Sequence, residues 1–152
     1  MRSLSRRSIP CLIAIVFLPA TLGYAQSCEP ELLSGFGGEC YSVGLQGDLV
    51  YLSEGKNLTI LDVSNPVNPT PISRFTLPFQ VYDLAVAGTR TVLSGGNSAT
   101  EFASIDVTDP TAPELEGLLK LPFATFDVAV SGDRACVAYG HAGVQLVDLS
   151  DP

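Results

Sequence analysis

The chain has 152 residues, of which 46% are hydrophobic and 16% charged, with sixteen Asp and Glu against eight Lys and Arg, one His and no Trp. Such a composition is too apolar for a disordered chain and supports a packed core. The formal net charge of −8 repels phosphate backbones and anionic lipid, so nucleic acid and membrane surfaces are excluded as expected partners. Along the chain, residues 1–25 read first as a secretory signal peptide. Arg2, Arg6 and Arg7 supply a basic start, an apolar run from Ile9 to Ala20 follows, and Gly23-Tyr24-Ala25 places small residues ahead of a cleavage point before Gln26. That run falls short of the roughly 20 residues that span a bilayer. Arg6-Arg7 is a weak twin-arginine echo, and ordinary secretion remains the expectation. Cleavage would leave five basic residues against sixteen acidic ones and place the mature chain outside the cytoplasm: periplasmic, secreted or at the cell surface.

Residues 26–39 form an N-terminal segment. Its stretch Pro30-Glu31-Leu32-Leu33-Ser34-Gly35-Phe36 is similar to Pro113-Glu114-Leu115-Glu116-Gly117-Leu118 further on, and is a candidate outer strand. Cys28 and Cys40 flank a glycine-rich turn, and export makes a bridge between them a candidate disulfide. A lipid anchor at Cys28 is the weaker reading, because Ala25 stands where a lipoprotein signal places a large aliphatic residue.

From Cys40 onward the chain repeats itself. Ile-Leu-Asp62-Val-Ser-Asn-Pro66, Ser-Ile-Asp106-Val-Thr-Asp-Pro110 and Leu-Val-Asp148-Leu-Ser-Asp-Pro152 place their aspartates 44 and 42 residues apart. A second block repeats in phase, Leu77-Pro-Phe-Gln-Val-Tyr-Asp83 against Leu121-Pro-Phe-Ala-Thr-Phe-Asp127. The repeats run from about 40 to 80, 81 to 124 and 125 to 152, the last incomplete. Each divides into short apolar runs separated by Gly, Asn, Asp and Pro turns, without helical periodicity. In the second copy the expected strands are Val81 to Ala87, Arg90 to Ser94, Phe102 to Val107 and Leu115 to Leu121. Four strands in about 40–45 residues is the size of one propeller blade. The fold class is therefore all-β, with blades of four antiparallel strands, about three of them, forming an incomplete propeller. Because a closed propeller needs about four to eight blades, either the chain is truncated relative to a longer product or copies associate to close a ring. The stop in mid-blade favours truncation, while an N-terminal outer strand and a missing C-terminal one fit closure by strand exchange.

These residues resemble the LVIVD repeat family of exported bacterial propeller proteins. The likeness rests on Gly-Asp or Gly-Thr turns followed by a β-branched strand and on the Asp-Val-Ser-Asn-Pro strand end. It implies a propeller in an extracytoplasmic setting and no defined reaction. The first copy departs from the pattern at its inner strand, where Ser42 and Gly44 stand for Asp and Ala.

Little in the sequence points to catalysis. His141 falls in a Gly-His-Ala-Gly turn with no serine and acid beside it, and reads as solvated. No phosphate loop, His-Glu-x-x-His or Cys-x-x-Cys occurs, so no cofactor and no metal site are expected. Asp62, Asp106 and Asp148, with Pro66, Pro110 and Pro152, read as a structural turn motif: the carboxylate caps a turn and proline ends the strand. Asp83 and Asp127 in the innermost strands are the candidates to face a ligand or cation, against the alternative that each ties down neighbouring backbone. Cys136 aligns with Val92 and reads as a buried thiol. The leading expectation is a non-catalytic binding or scaffold module for a protein or glycan partner. The alternative is part of a larger propeller enzyme, hydrolase or lactonase-like, whose site is completed by missing blades.

Overall fold

A computed structural model describes residues 30–96 and 100–150; the expected signal peptide, Cys28 and Pro152 lie outside the described residues. Among the described residues eleven strands follow one another, with a single 3-10 turn between the last two. Blade 1 is β1 (Cys40–Gln46), β2 (Leu49–Glu54), β3 (Asn57–Asp62) and β4 (Thr70–Thr76). Blade 2 is β5 (Val81–Ala87), β6 (Arg90–Gly95), β7 (Glu101–Asp106) and β8 (Glu114–Lys120). Blade 3 has β9 (Asp127–Ser131), β10 (Arg134–Ala138) and β11 (Val144–Asp148). Each blade is an antiparallel meander in which every strand pairs with its sequence neighbour, and β11 pairs with β10 alone among the described residues. The second copy's strands match the sequence expectation to within a residue.

The local causes repeat as well. Gln46 pairs with Leu49, and Ala87 with Arg90, closing two-residue turns whose Gly47 and Gly88 have φ of 59° and 62°. Gly132 does the same in blade 3 at 56°. That left-handed conformation suits the hairpin twist and costs a β-carbon-bearing residue energy. At the other end, Val63, Val107 and Leu149 each donate a backbone N–H to Asp48, Thr89 and Asp133 respectively, at 2.8, 2.8 and 2.9 Å. The chain thereby leaves each third strand in one direction.

The core lies between blades. One cluster, with Tyr51, Leu58 and Ile60 from blade 1 and Leu84, Leu93 and Ile105 from blade 2, fills the first junction. Another, with Val92 and Phe102 from blade 2 and Val128, Ala135, Val137 and Tyr139 from blade 3, fills the second. Gly44 in β1 sits so close to Leu84 and Val86 that a β-carbon would lie 2.9 Å from the nearest atom of Val86. The departure of blade 1 from the Ala seen at the equivalent Ala85 and Ala129 is thus a packing choice at the junction.

Blade 2 is covered on both faces; blade 3 is covered on one. Cys136 occupies the position of Val92 in its blade, yet it is exposed rather than buried, since no blade among the described residues covers the face it stands on. The expectation of a buried thiol fails for that reason.

Candidate functional site

The inner strands β1, β5 and β9 bring three equivalent residue pairs side by side: Tyr41 with Ser42, Tyr82 with Asp83, and Phe126 with Asp127. Each carries an aromatic ring followed by a polar group. The Tyr41 and Tyr82 rings meet edge to face with centroids 5.3 Å apart, a favoured aromatic geometry. All three aromatic side chains stay substantially exposed, Tyr82 at 40% and Phe126 at 72%.

Asp83 is the hub of the polar row. Its Oδ1 accepts the Ser42 hydroxyl of blade 1 at 2.7 Å, and its Oδ2 accepts the Val128 N–H of blade 3 at 2.6 Å. One carboxylate therefore ties three blades together. Ser42 performs the same service one blade earlier, its Oγ accepting the Leu84 N–H at 3.2 Å. A residue at this position receives a backbone N–H from the next blade at each junction. Burial pushes the Asp83 carboxyl above its ordinary pKa, and the neighbouring Asp127 carboxyl adds to the rise, while the Ser42 and Val128 bonds pull against both. Asp127, at the same place in blade 3, is exposed. Among the described residues no group of three or more His, Cys, Asp or Glu side chains is placed to hold a metal ion.

The aspartates at the strand ends sit in a different environment. Asp62, Asp106 and Asp148 accept the backbone N–H of Ser64, Thr108 and Ser150 at 2.7, 2.7 and 3.0 Å. All three carboxyls are held below the ordinary range, Asp106 and Asp148 first by the hydroxyls of Thr108 and Ser150 and then by these backbone bonds, Asp62 first by the Ser64 N–H and then by its hydroxyl. The prolines have a role that the sequence does not announce. The Pro110 carbonyl accepts the Ser73 hydroxyl at 2.6 Å, and the Pro66 carbonyl accepts the Ser34 hydroxyl at 2.6 Å. Cys40 opens β1 and is exposed, and its Sγ donates to the Ser42 carbonyl at 3.3 Å. His141 lies exposed in the 3-10 turn Gly140–Ala142.

A further set of polar contacts crosses the junctions and was not anticipated. Gln46 of blade 1 makes a paired bond with Gly88 of blade 2, donating to its carbonyl and accepting its N–H, both at 2.7 Å. Arg90 of blade 2 lies 3.2 Å from Asp133 of blade 3 and also holds Glu116 at 2.7 Å. The signal that finds them is the alignment of Gly-Asp48, Gly-Thr89 and Gly-Asp133 at the first turn of each repeat.

Stacked four-stranded meanders with inner strands side by side define a β-propeller repeat protein. The LVIVD repeat model matches residues 37–76 and 124–152, so the chain carries LVIVD repeats, in blade 1 and blade 3. Blade 2 has the same topology without matching the model. Among solved structures, the chain is similar to one in the mitotic checkpoint complex, at a TM-score of 0.59 and 12% identity, covering 72% of this chain and 37% of that one. It is similar to BamB from Moraxella catarrhalis, at 0.57 and 10%, covering 72% and 32%. It is also similar to apo AztD from Citrobacter koseri, at 0.54 and 15%, covering 72% and 31%. The chain thus spans about a third of the length of the structures it matches, and at these identities the likeness speaks for the fold alone. No curated protein matches the sequence. No helix among the described residues is long and apolar enough to cross a membrane.

Proposed function

We propose that the chain is an exported, non-catalytic propeller module that presents the aromatic row Tyr41, Tyr82 and Phe126 to a protein partner outside the cytoplasm. The observation that carries this reading is the state of Asp83. Its two carboxylate oxygens are both engaged by neighbouring blades, so the most perturbed acid of the inner strands is spent on holding blades together. Beside it, exposed aromatic rings offer the large, rigid, amphipathic contact area that anchors protein interfaces. Export rests on the basic start, apolar run and Ala25 cleavage pattern.

In an exporting host, a photo-crosslinking residue at Tyr82 is expected to trap one discrete partner, whereas the same probe at the exposed Val67 traps none. N-terminal sequencing of the exported protein is expected to begin at Gln26. Hydrolysis of a panel of aryl esters and lactones by the purified chain, abolished by Asp83→Asn, would overturn the non-catalytic reading.

A further inference from the structure

The crossing from blade 1 to blade 2 is held by backbone bonds. Leu77 donates its N–H to the Lys56 carbonyl at 2.8 Å and Val81 donates to the Gly55 carbonyl at 2.9 Å, so Pro78, Phe79 and Gln80 lie against the turn between β2 and β3. Gly96 in turn donates to the Gln80 carbonyl at 2.7 Å. Gly95 makes that approach possible, because any β-carbon there would collide with the same oxygen. The next crossing reuses part of this frame, with Leu121 donating to the Thr100 carbonyl at 2.7 Å.

The frame repeats, but the side chains it holds do not. At the first crossing a cavity of about 310 Å³ is lined by Lys56, Gln80, Thr100, Glu101 and Lys120, with Phe79 at its wall. One repeat on, Thr100 takes the place of Lys56 and Ala124 that of Gln80, while Thr76 is the earlier counterpart of Lys120. A role common to every blade therefore does not account for these three donors. Lys56 and Lys120 are also the only lysines in the chain, and both meet at one cavity of a molecule with a net charge of −8. Arg74 and Arg90, by contrast, are engaged by Glu54 and Glu116. Lys56 is exposed and makes no ion pair among the described residues. Lys120 reaches Glu101 only at 4.0 Å and stays 78% exposed.

Gln80 supplies the inner wall. Its Nε2 is buried and has no hydrogen-bond partner. A buried donor left unpaired is costly, and an incoming acceptor relieves that cost. A second cavity of about 340 Å³ shares Pro78, Phe79, Glu101 and Lys120 with the first and reaches Leu118, which is largely exposed. Both volumes fall in the range of small-molecule sites, about 300–1,000 Å³.

We propose that this junction binds a small organic monocarboxylate, its carboxylate held by Lys56, Lys120 and the Gln80 amide, and its apolar body lying along Pro78 and Leu118. Two ammonium groups and an amide N–H are donors, and they select an anion. Glu101 on the same wall repels a second negative charge, which favours a monoanion over a phosphate. None of these residues belongs to the aromatic row, so the site stands independently of the reading above.

Titration of the isotope-labelled chain with phenylacetate, followed by NMR, tests the assignment. The Gln80 side-chain amide and the Gly96 amide are expected to shift and saturate. Lys56→Gln and Lys120→Gln, both at exposed side chains, should each weaken binding about tenfold and keep the circular dichroism of the wild type. Gln80→Glu, which sets a negative charge in place of the donor, should abolish binding. Phenylacetamide lacks the charge and acetate lacks the ring, and each should bind at least about tenfold more weakly than phenylacetate. Arg134→Gln, a charge lost from β10, should leave the affinity unchanged. The absence of saturable shifts up to about 10 mM phenylacetate, equal binding of phenylacetamide, or wild-type affinity in Lys56→Gln would each overturn the proposal.

Discussion

Blades 2 and 3 carry nearly the same face and meet different fates. Phe102, Val92 and Asp83 on blade 2 correspond to Val144, Cys136 and Asp127 on blade 3. Val92 and Phe102 are covered, at 0% and 2% exposure, and Asp83 is half-buried, whereas the second set is open, with Val144 at 66%. The difference teaches that a blade's sequence specifies a face, whereas burial is conferred by the neighbour stacked on it. It also explains why residues that read as core by alignment stand in solvent here.

Substitutions at matched positions sharpen this contrast. Phe102→Ala should cost about 3–5 kcal/mol, the range for truncating a buried aromatic. Val144→Ala should change the stability of the isolated chain by less than about 0.5 kcal/mol, as at an exposed site. Urea unfolding of chains carrying each change gives both values.

The carboxylates come next. Asp83→Ala leaves the Val128 N–H and the Ser42 hydroxyl without their acceptor and should cost about 1–2 kcal/mol, whereas Asp127→Ala should be close to neutral in the single chain. Asp83→Asn keeps an acceptor for Val128 and removes the cost of an ionised group held in a partly buried place. Because the Asp83 pKa is raised in the fold, its ionisation weakens the native state as pH climbs through that raised value. Asp83→Asn should therefore gain on the wild type as pH rises through the same window, measured by thermal unfolding across pH.

A smaller effect has the opposite sign. Glu116 is held below its ordinary pKa, first by its bond to Arg90 and further by the Ser104 hydroxyl. A lowered carboxyl stabilises the fold above its unfolded pKa, and that contribution is lost as pH falls through the folded one. Glu116→Gln should accordingly flatten the acid limb of the stability profile below the ordinary glutamate range of about 4.3. Least of all, Asp133→Asn removes an ion pair whose acid is largely exposed, and should cost no more than about 0.5 kcal/mol and less in high salt.

Much of this architecture was legible in the sequence. The spacing of Asp62, Asp106 and Asp148 set the period, and Gly88-Thr89 and Asp109-Pro110 marked strand ends that the fold places within a residue. What the sequence hid was contact across blades. Asp83 was visible as a repeated acid, but its two partners lie 41 and 45 residues away in different repeats, and no local pattern distinguishes an inter-blade tie from a ligand contact. Cys136 was misread because alignment with Val92 transfers a position without transferring the blade that covers it. The serine-to-proline bonds escaped for a similar reason: Ser34 lies in a segment that forms no regular strand, so its bond is recognisable only beside that of Ser73.

Amide hydrogen exchange on the wild type and on Asp83→Ala tests most directly the claim that one carboxylate ties blades 1 and 3 to blade 2. The Val128 amide is expected to be protected in the wild type and to exchange faster in Asp83→Ala, while β6 and β7 exchange equally slowly in both. Equal exchange of the Val128 amide in both proteins, or a loosening of β6 and β7 together with it, would contradict this claim.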